Sequence, residues 1–302
     1  SLLGVLFPLE KQAELSGWLM RFLGLDPERC GLTTTEHPFT IDFSRHDVRI
    51  TTKYYENAFA SSMFSVIHEG GHALYELGTG EDYAFTQLGR GVSMAVHESQ
   101  SRFYENIIGR SKAFCGLVWP ELTRLCPELE RYDEEQFWRA VNSAKPGLIR
   151  IEADELTYSL HIMVRYELER ALMHGEAKVS ELPERWRALY KQYLGVDVPD
   201  DAHGVLQDSH WSGGDLGYFP SYALGSAYGA QLVSRMKESV DVDAAVASGD
   251  ITPVNAWLGE RIWQYGSLKK PSELIRAALG GDFDPGYYTD YLEAKMREVY
   301  KL

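Results

Sequence analysis

One short segment of the sequence holds residues whose types and spacing suit metal chemistry. His68, Glu69 and His72 form an HExxH motif within a stretch of helical periodicity. Residues four apart lie on one face of a helix, so both histidines can direct a ring nitrogen at the same divalent ion. Glu69 is rotated by about 100° and can instead reach a water molecule at that ion. The motif therefore predicts two metal ligands and a general base.

A catalytic zinc site needs a third protein ligand, which the motif does not supply. The chain continues ALYELG after His72, so the further histidine that metzincins use is absent. A carboxylate is the remaining source, and Glu98 and Glu105 lie two turns apart on one face of the next predicted helix. Glu76 and Glu81 are weaker candidates. The residues alone leave the choice among these carboxylates open.

The elements that must position this motif are mostly helical. Residues 57–77 carry apolar side chains at helical spacing, and Gly78 is a typical stop signal. Gly70 and Gly71 weaken that helix, so we expect a neighbouring helix to pack closely there. Residues 39–54 alternate apolar and polar on both sides of a turn, which predicts a β-hairpin. Further helices are predicted over 93–108, 134–144, 148–174, 181–194, 219–239, 252–265, 271–279 and 287–301.

Composition limits the class of protein. The 302 residues have a net charge of -14 and are 44% hydrophobic, which is typical of a soluble globular chain without the basic surplus that attracts nucleic acid or anionic lipid. Three cysteines form no CxxC pair, and no apolar run is long enough to span a membrane. We therefore expect a cytoplasmic protein with no nucleic-acid or membrane partner. No linker divides the sequence, so we expect residues 1–302 to form a single catalytic region.

Six sequence blocks occur in an order typical of one enzyme family. They are HPF at 37–39, DVRIT at 47–51, HEGGH at 68–72, HESQ at 97–100, IRIEAD at 149–154 and GVLQDSHW at 204–211. These blocks resemble those of the thermostable carboxypeptidases of the carboxypeptidase Taq family. The resemblance implies a mainly α gluzincin fold with a small β-hairpin sheet at the edge of the active site. It also implies Glu98 as the third metal ligand beside His68 and His72.

The same resemblance implies an activity and a metal. We expect a zinc-dependent carboxypeptidase that removes single C-terminal amino acids from peptides, with Co²⁺ or another divalent ion as the alternative to Zn²⁺. Family members carry a long helical N-terminal region that this sequence lacks, so we expect the catalytic remainder of a longer enzyme, acting as a homodimer. The alternatives are an oligoendopeptidase of the same clan, or a truncated protein that binds metal without activity.

Two further residues are candidates for stabilising the oxyanion of peptide hydrolysis. The stretch 210–219 is similar to a segment of related oligopeptidases in which a histidine and a tyrosine donate hydrogen bonds to that oxygen. His210 and Tyr218 match those positions, and Tyr222 is the alternative phenol. Preorganised donors at a developing oxyanion lower the reaction barrier by a few kcal/mol each. Packing and hydrogen bonding in the core is the alternative role for His210 and Tyr218.

A carboxypeptidase must also recognise a free C-terminal carboxylate, for which a guanidinium is well suited. The resemblance points to Arg150, which we expect to form an ion pair with Asp154 on one helix face. A purely structural pair is the other interpretation, and Arg49 and Arg165 are the next candidates. Three more residues are expected near the substrate or its binding groups: His37, which could block the groove beyond the site, and Gln207 and Asp208, which could support His210 or a ligand histidine.

Overall fold

The computed structural model describes all residues 1–302 and consists mainly of helices. The helices are α1 (Leu9–Leu23), α2 (Phe59–Leu77), α3 (Met94–Arg102), α4 (Lys112–Leu125), α5 (Glu134–Val141), α6 (Glu155–Met173), α7 (Leu182–Leu194), α8 (His210–Gly213), α9 (Pro220–Met236), α10 (Val242–Ser248), α11 (Thr252–Arg261), α12 (Pro271–Leu279) and α13 (Gly286–Tyr300). The strands are β1 (Cys30–Thr34), β2 (Thr40–Ser44) and β3 (Asp47–Thr52). The predicted fold class, mainly α with a small β-hairpin sheet, is confirmed.

The chain divides into two compact units. The first contains residues 1–141 and 225–291, and the second contains residues 142–224 and 292–302. A single catalytic region over residues 1–302 therefore stays a prediction. None of the helices combines the length and the apolar character that a membrane span requires.

Helix α2 is the central element of the first unit. Its apolar stripe is buried, and it packs against α1, α3 and the two strands β2 and β3. A Cβ atom at Gly70 would lie 2.4 Å from Cδ1 of Leu23 in α1, and one at Gly71 would lie 2.7 Å from the carbonyl oxygen of Gln100 in α3. The expectation of a closely packed neighbouring helix is confirmed on both sides. Glycine at these two positions lets α1 and α3 approach the motif turn of α2.

The small sheet has the strand order β1-β3-β2. Strands β2 and β3 pair antiparallel, which confirms the predicted hairpin. Strand β1 pairs parallel to β3, with Cys30 opposite Val48, and the sequence analysis did not predict it. Most of β1 is exposed or half-buried, so it lacks the apolar alternation by which strands are recognised. Helices α1, α4, α8 and α10 were also not predicted.

Helix α6 packs against α7 in the second unit, around a core that includes Trp186 and Tyr190. The predicted helix over 148–174 begins later than expected. Asp154 is the N-cap of α6, and its carboxylate accepts the backbone N–H of Thr157 at 2.9 Å. Arg150 lies in a separate 3-10 turn, Arg150–Glu152. The expected ion pair on one helix face is therefore wrong, because capping engages the Asp154 carboxylate at a helix start instead.

Candidate active site

The three predicted metal ligands come together in the first unit. His68 and His72 lie on successive turns of α2, and Glu98 faces them from α3. Nε2 of His68 is 3.9 Å from Oε2 of Glu98, and Nε2 of His72 is 3.8 Å from Oε1. One ligand atom from each residue lies within 4.8 Å of the others. Imidazole nitrogen and carboxylate oxygen are donors that zinc and similar divalent ions accept, so these residues fit such an ion.

Glu98 is fixed in place by its own helix. Its side chain is buried, and the Ser101 hydroxyl lies 3.1 Å from Oε2. Arg102 forms an ion pair with the same carboxylate, with Nε 3.8 Å from Oε2. A Cβ atom at Gly225 of α9 would lie 2.5 Å from Cβ of Glu98. Close packing therefore holds the Glu98 carboxylate against the two histidines.

Glu105, a competing ligand in the sequence analysis, contacts the outer nitrogen of His68 instead. Its Oε2 lies 2.8 Å from Nδ1 of His68, and Arg102 and Arg110 form ion pairs with it. Burial alone would raise the pKa of Glu105, but Arg102, His68 and Arg110 outweigh it and hold that pKa far below its usual value. Glu105 is thus a carboxylate that accepts the Nδ1–H of His68, which leaves Nε2 of His68 for a metal. A π-helical turn, Phe103–Ile108, carries Glu105 just after α3.

The outer nitrogen of His72 has a different partner. Its Nδ1 lies 3.1 Å from Nδ1 of His97, and Nε2 of His97 lies 2.6 Å from Oε1 of Glu76. Burial lowers the pKa of His72 well below its usual value. The sequence predicted neither contact: His97 was noted only within the HESQ block at 97–100, and Glu76 only as a weaker candidate for a metal ligand. Glu81, the last competitor, pairs with His46 and Arg45.

The carboxylate of Glu69, the candidate general base, contacts strand β2 of the hairpin. The Thr40 hydroxyl of β2 lies 2.6 Å from Oε2 of Glu69 and 3.1 Å from its backbone carbonyl oxygen. Burial raises the pKa of Glu69, while His68 and the Thr40 hydrogen bond lower it in part. A raised pKa brings a carboxylate nearer to the range in which it exchanges protons at neutral pH. Thr40 was not predicted, because nothing in a strand pattern marks a contact to a distant helix.

In the second unit, the three predicted oxyanion donors cluster together. Nε2 of His210 lies 3.0 Å from the Tyr222 hydroxyl oxygen, and the rings of His210 and Tyr218 are 5.3 Å apart. Nδ1 of His210 is buried without a hydrogen-bond partner. Burial and the charge of Arg150 lower the pKa of His210. A lowered pKa favours the neutral imidazole, which has one donor and one acceptor nitrogen.

Glu169 of α6 anchors the loop that carries these residues, and it was not predicted. Its carboxylate accepts the indole N–H of Trp211 at 3.0 Å and the backbone N–H of Gly217. Trp211 directly follows His210 and Gly217 directly precedes Tyr218, so Glu169 contacts both ends of the loop between His210 and Tyr218. A buried carboxylate on a helix carries no local sequence signal for such a contact.

Arg150 belongs to a buried charged cluster of the second unit. Its Nε and Nη2 lie 2.9 and 2.7 Å from Oδ1 of Asp208, and its Nη1 donates to the Tyr158 hydroxyl at 2.8 Å. Arg165, which is fully buried, donates from Nε to the other carboxylate oxygen at 2.6 Å. Gln207 accepts from the backbone N–H of Arg150 and from Nη2 of Arg165. These contacts leave one N–H on each terminal nitrogen of Arg150 without an acceptor.

Asp208 and Gln207 thus contact the two arginines, and neither forms a hydrogen bond with the His210 ring. Burial would raise the pKa of Asp208, but Arg165 and Arg150 together hold it below its usual value. The remaining predicted residues lie in the first unit. His37 is exposed just before β2, and Arg49 forms a surface pair with Asp47.

Comparisons with known proteins match this chain to one family of carboxypeptidases over nearly its whole length. The family described as Carboxypeptidase Taq (M32) metallopeptidase matches residues 2–296. Carboxypeptidase 1 of Bacillus subtilis is 45% identical over 298 residues, covering 98% of this chain and 60% of that protein. Thermostable carboxypeptidase 1 of Pyrococcus furiosus is 40% identical over 297 residues, covering 95% and 60%.

The fold of this chain is also similar to that of a solved structure. The M32 carboxypeptidase from Deinococcus radiodurans superposes with a TM-score of 0.97 at 39% identity, covering 100% of this chain and 61% of that one. The chain spans about three fifths of the length of the curated relatives it matches.

Proposed function

The chain belongs to the carboxypeptidase Taq (M32) metallopeptidase family, and we propose from this premise that it acts in a metallocarboxypeptidase that removes single C-terminal amino acids from peptides. One observation carries the proposal: two imidazoles and one carboxylate converge beside a buried glutamate. We propose that residues 1–302 act together as one catalytic region. The predicted role of each residue is part of this proposal.

His68, His72 and Glu98 would hold the metal. We propose Zn²⁺, because two imidazoles and one carboxylate are a common ligand set of catalytic zinc, with Co²⁺ or another divalent ion as the alternative. When bound, such an ion polarises the scissile carbonyl and makes water more acidic. Glu69 would accept a proton from the attacking water and then pass it to the leaving amine. The Thr40 hydroxyl keeps the Glu69 carboxylate in place for both transfers.

His210 and Tyr218 would donate hydrogen bonds to the oxyanion, with Tyr222 as the alternative phenol. The lowered pKa of His210 is compatible with this role, because the neutral imidazole that it favours still offers one N–H. Tyr222 lies within hydrogen-bond distance of that imidazole, so its hydroxyl can fix the ring orientation. Glu169 supports the same role by holding the loop between His210 and Tyr218.

Arg150 would bind the substrate's terminal carboxylate through the two N–H groups that have no acceptor within the chain. Asp208 and Gln207 support this role by fixing the arginine side chain and backbone. The ring of Tyr222 lies 5.0 Å from the guanidinium carbon and restricts its movement further. His37 would limit the groove beyond the site, which favours removal of single residues over internal cleavage.

The test uses a blocked dipeptide with a free C-terminus and the same dipeptide with a C-terminal amide. A carboxypeptidase cleaves the first and spares the second, and a chelator abolishes the cleavage. Equal cleavage of both would support an oligoendopeptidase instead. Metal binding without cleavage of either would support an inactive metal-binding protein.

We also propose a cytoplasmic location and a homodimer. The three cysteines are buried and form no disulfide with one another, which is typical of proteins in a reducing compartment. Sedimentation of the purified chain would test the dimer, and a monomer at micromolar concentration would contradict it.

A further inference from the structure

The hydrogen bonds behind the two ligand histidines differ. Nδ1 of His68 lies directly against the carboxylate of Glu105, at 2.8 Å. Nδ1 of His72 instead faces Nδ1 of a second imidazole, His97, and only the far nitrogen of His97 reaches a carboxylate, Glu76. A metal-ligating histidine usually donates its other N–H directly to a carboxylate, a backbone carbonyl or water. An imidazole between ligand and carboxylate is therefore a feature that needs an explanation.

The chemistry of the three groups fixes the direction of this chain of hydrogen bonds. A carboxylate only accepts, so Nε2 of His97 carries the hydrogen that Glu76 receives at 2.6 Å. A neutral imidazole has one donor and one acceptor nitrogen, so Nδ1 of His97 is then an acceptor. With His97 neutral, His72 donates from Nδ1 across the 3.1 Å contact. Its Nε2, the nitrogen that faces Glu98, is left with a lone pair for a metal.

Neighbouring groups hold His97 in this position. The ring of Tyr75 lies 4.8 Å from the ring of His97, and the Tyr75 hydroxyl accepts the backbone N–H of Val92. The N–H of Gly91 donates to Oε1 of Glu76 at 3.0 Å. A Cβ atom at Gly91 would lie 2.4 Å from Nε2 of His97. The loop after α2 thus closes over the His97–Glu76 pair at a distance that only glycine permits.

We propose that Glu76 and His97 are positioning residues that fix the tautomer and ring orientation of His72 for metal binding, and that Gly91 permits their approach. The inference rests on the metal site of the proposed function. It assigns different support to the two ligand histidines, a carboxylate behind His68 and an imidazole–carboxylate pair behind His72.

The first test measures metal affinity by competition with a chromophoric chelator. We expect His97→Leu and Glu76→Leu to weaken Zn²⁺ binding by about 10- to 100-fold, the usual cost of losing such a partner. His97→Gln should lose less, because its amide oxygen can still accept the N–H of His72. The control is the exposed pair of His46 and Glu81, whose side chains also lie 3.0 Å apart. His46→Gln and Glu81→Gln should leave the affinity unchanged.

The second test needs no variant and so does not depend on how the substitutions fold. Imidazole ¹⁵N chemical shifts of the Zn²⁺-loaded protein should show hydrogen on Nε2 of His97 and on Nδ1 of His72. Hydrogen on Nδ1 of His97, or wild-type affinity in both His97→Leu and Glu76→Leu, would overturn the inference while the proposed function stands. A wild-type protein that binds no divalent ion would overturn both.

Discussion

The two buried charged clusters of this protein use their charges in different ways. In the second unit, Asp208 lies between Arg150 and Arg165, and each of its oxygens accepts hydrogen bonds from one guanidinium. In the first unit, the imidazole Nε2 atoms of His68 and His72 lie 3.8 to 3.9 Å from the Glu98 carboxylate, beyond hydrogen-bond distance. The His68–His72–Glu98 cluster of the first unit therefore keeps its lone pairs directed at one point. The Arg150–Asp208–Arg165 cluster of the second unit instead satisfies its charges internally.

This difference shows that burial of charge does not by itself mark a metal site. Both clusters contain buried charged residues, Glu98 in one and Arg150 and Arg165 in the other, and both contain carboxylates with well-defined partners. What distinguishes the metal centre is that its outer atoms are paired, through Glu105 and His97, while its inner atoms are acceptors that converge. The following experiments test that contrast.

Removing a ligand should have the largest effect. Glu98→Ala deletes one of three donors, so we expect the Zn²⁺ affinity to fall by more than about 100-fold, beyond the cost of losing an outer partner. Equilibrium dialysis with metal analysis measures this loss. His46→Ala, which removes an exposed histidine of the same unit, is the control. Stoichiometric zinc in purified Glu98→Ala would contradict the assigned ligand set.

Replacing the base should separate catalysis from metal binding. In Glu69→Gln we expect the hydrolysis rate to fall by about 10²- to 10⁴-fold, the usual contribution of a general base. The zinc content should stay that of the wild type, because Glu69 is not a ligand. Rates on a blocked dipeptide and metal analysis of the same sample check both statements. Cleavage at the wild-type rate would rule out the role of Glu69.

Neutralising Asp208 should affect stability instead. Asp208→Asn leaves two buried guanidinium groups without a counter-charge, and we expect the free energy of unfolding to fall by about 3–5 kcal/mol. Asp201→Asn is the matched control, since Asp201 pairs with Arg187 at the surface and should cost less than about 1 kcal/mol. Urea unfolding compares the two variants. A loss of similar size in both would show that the buried cluster contributes no more than a surface pair.

The smallest effect concerns pH. Burial, with the nearby charge of Arg165, lowers the pKa of His161 to about 4. The unfolded chain binds the proton near the ordinary pKa of about 6.5, so stability present above that pH is lost as the pH falls toward 4. We expect a loss on the order of 2 kcal/mol between pH 7 and pH 4.5 from this group.

Urea unfolding across that range provides the measurement. His161→Gln should flatten the pH dependence, whereas His174→Gln, which changes an exposed histidine, should not. An unchanged slope in His161→Gln would assign the pH dependence to other groups.

Local pattern was sufficient for the parts of the site that lie on one element. His68, Glu69 and His72 share a single helix, so spacing alone predicts two ligands and a base on adjoining faces. The hairpin over β2 and β3 was recognisable for the same reason, because alternation and a turn are local signals. The resemblance to a family then selected Glu98 from four carboxylates that the residues themselves left open.

Only the tertiary structure decided how the remaining groups act. Thr40 reaches Glu69 from a strand, His97 and Glu76 join behind His72, and Asp208 lies beside Arg150 in place of the expected Asp154. These partners are separated in sequence by 21 to 58 residues, and no periodic pattern carries such a contact. They meet because glycines such as Gly71 let helix backbones approach, and packing then determines which buried charges find each other.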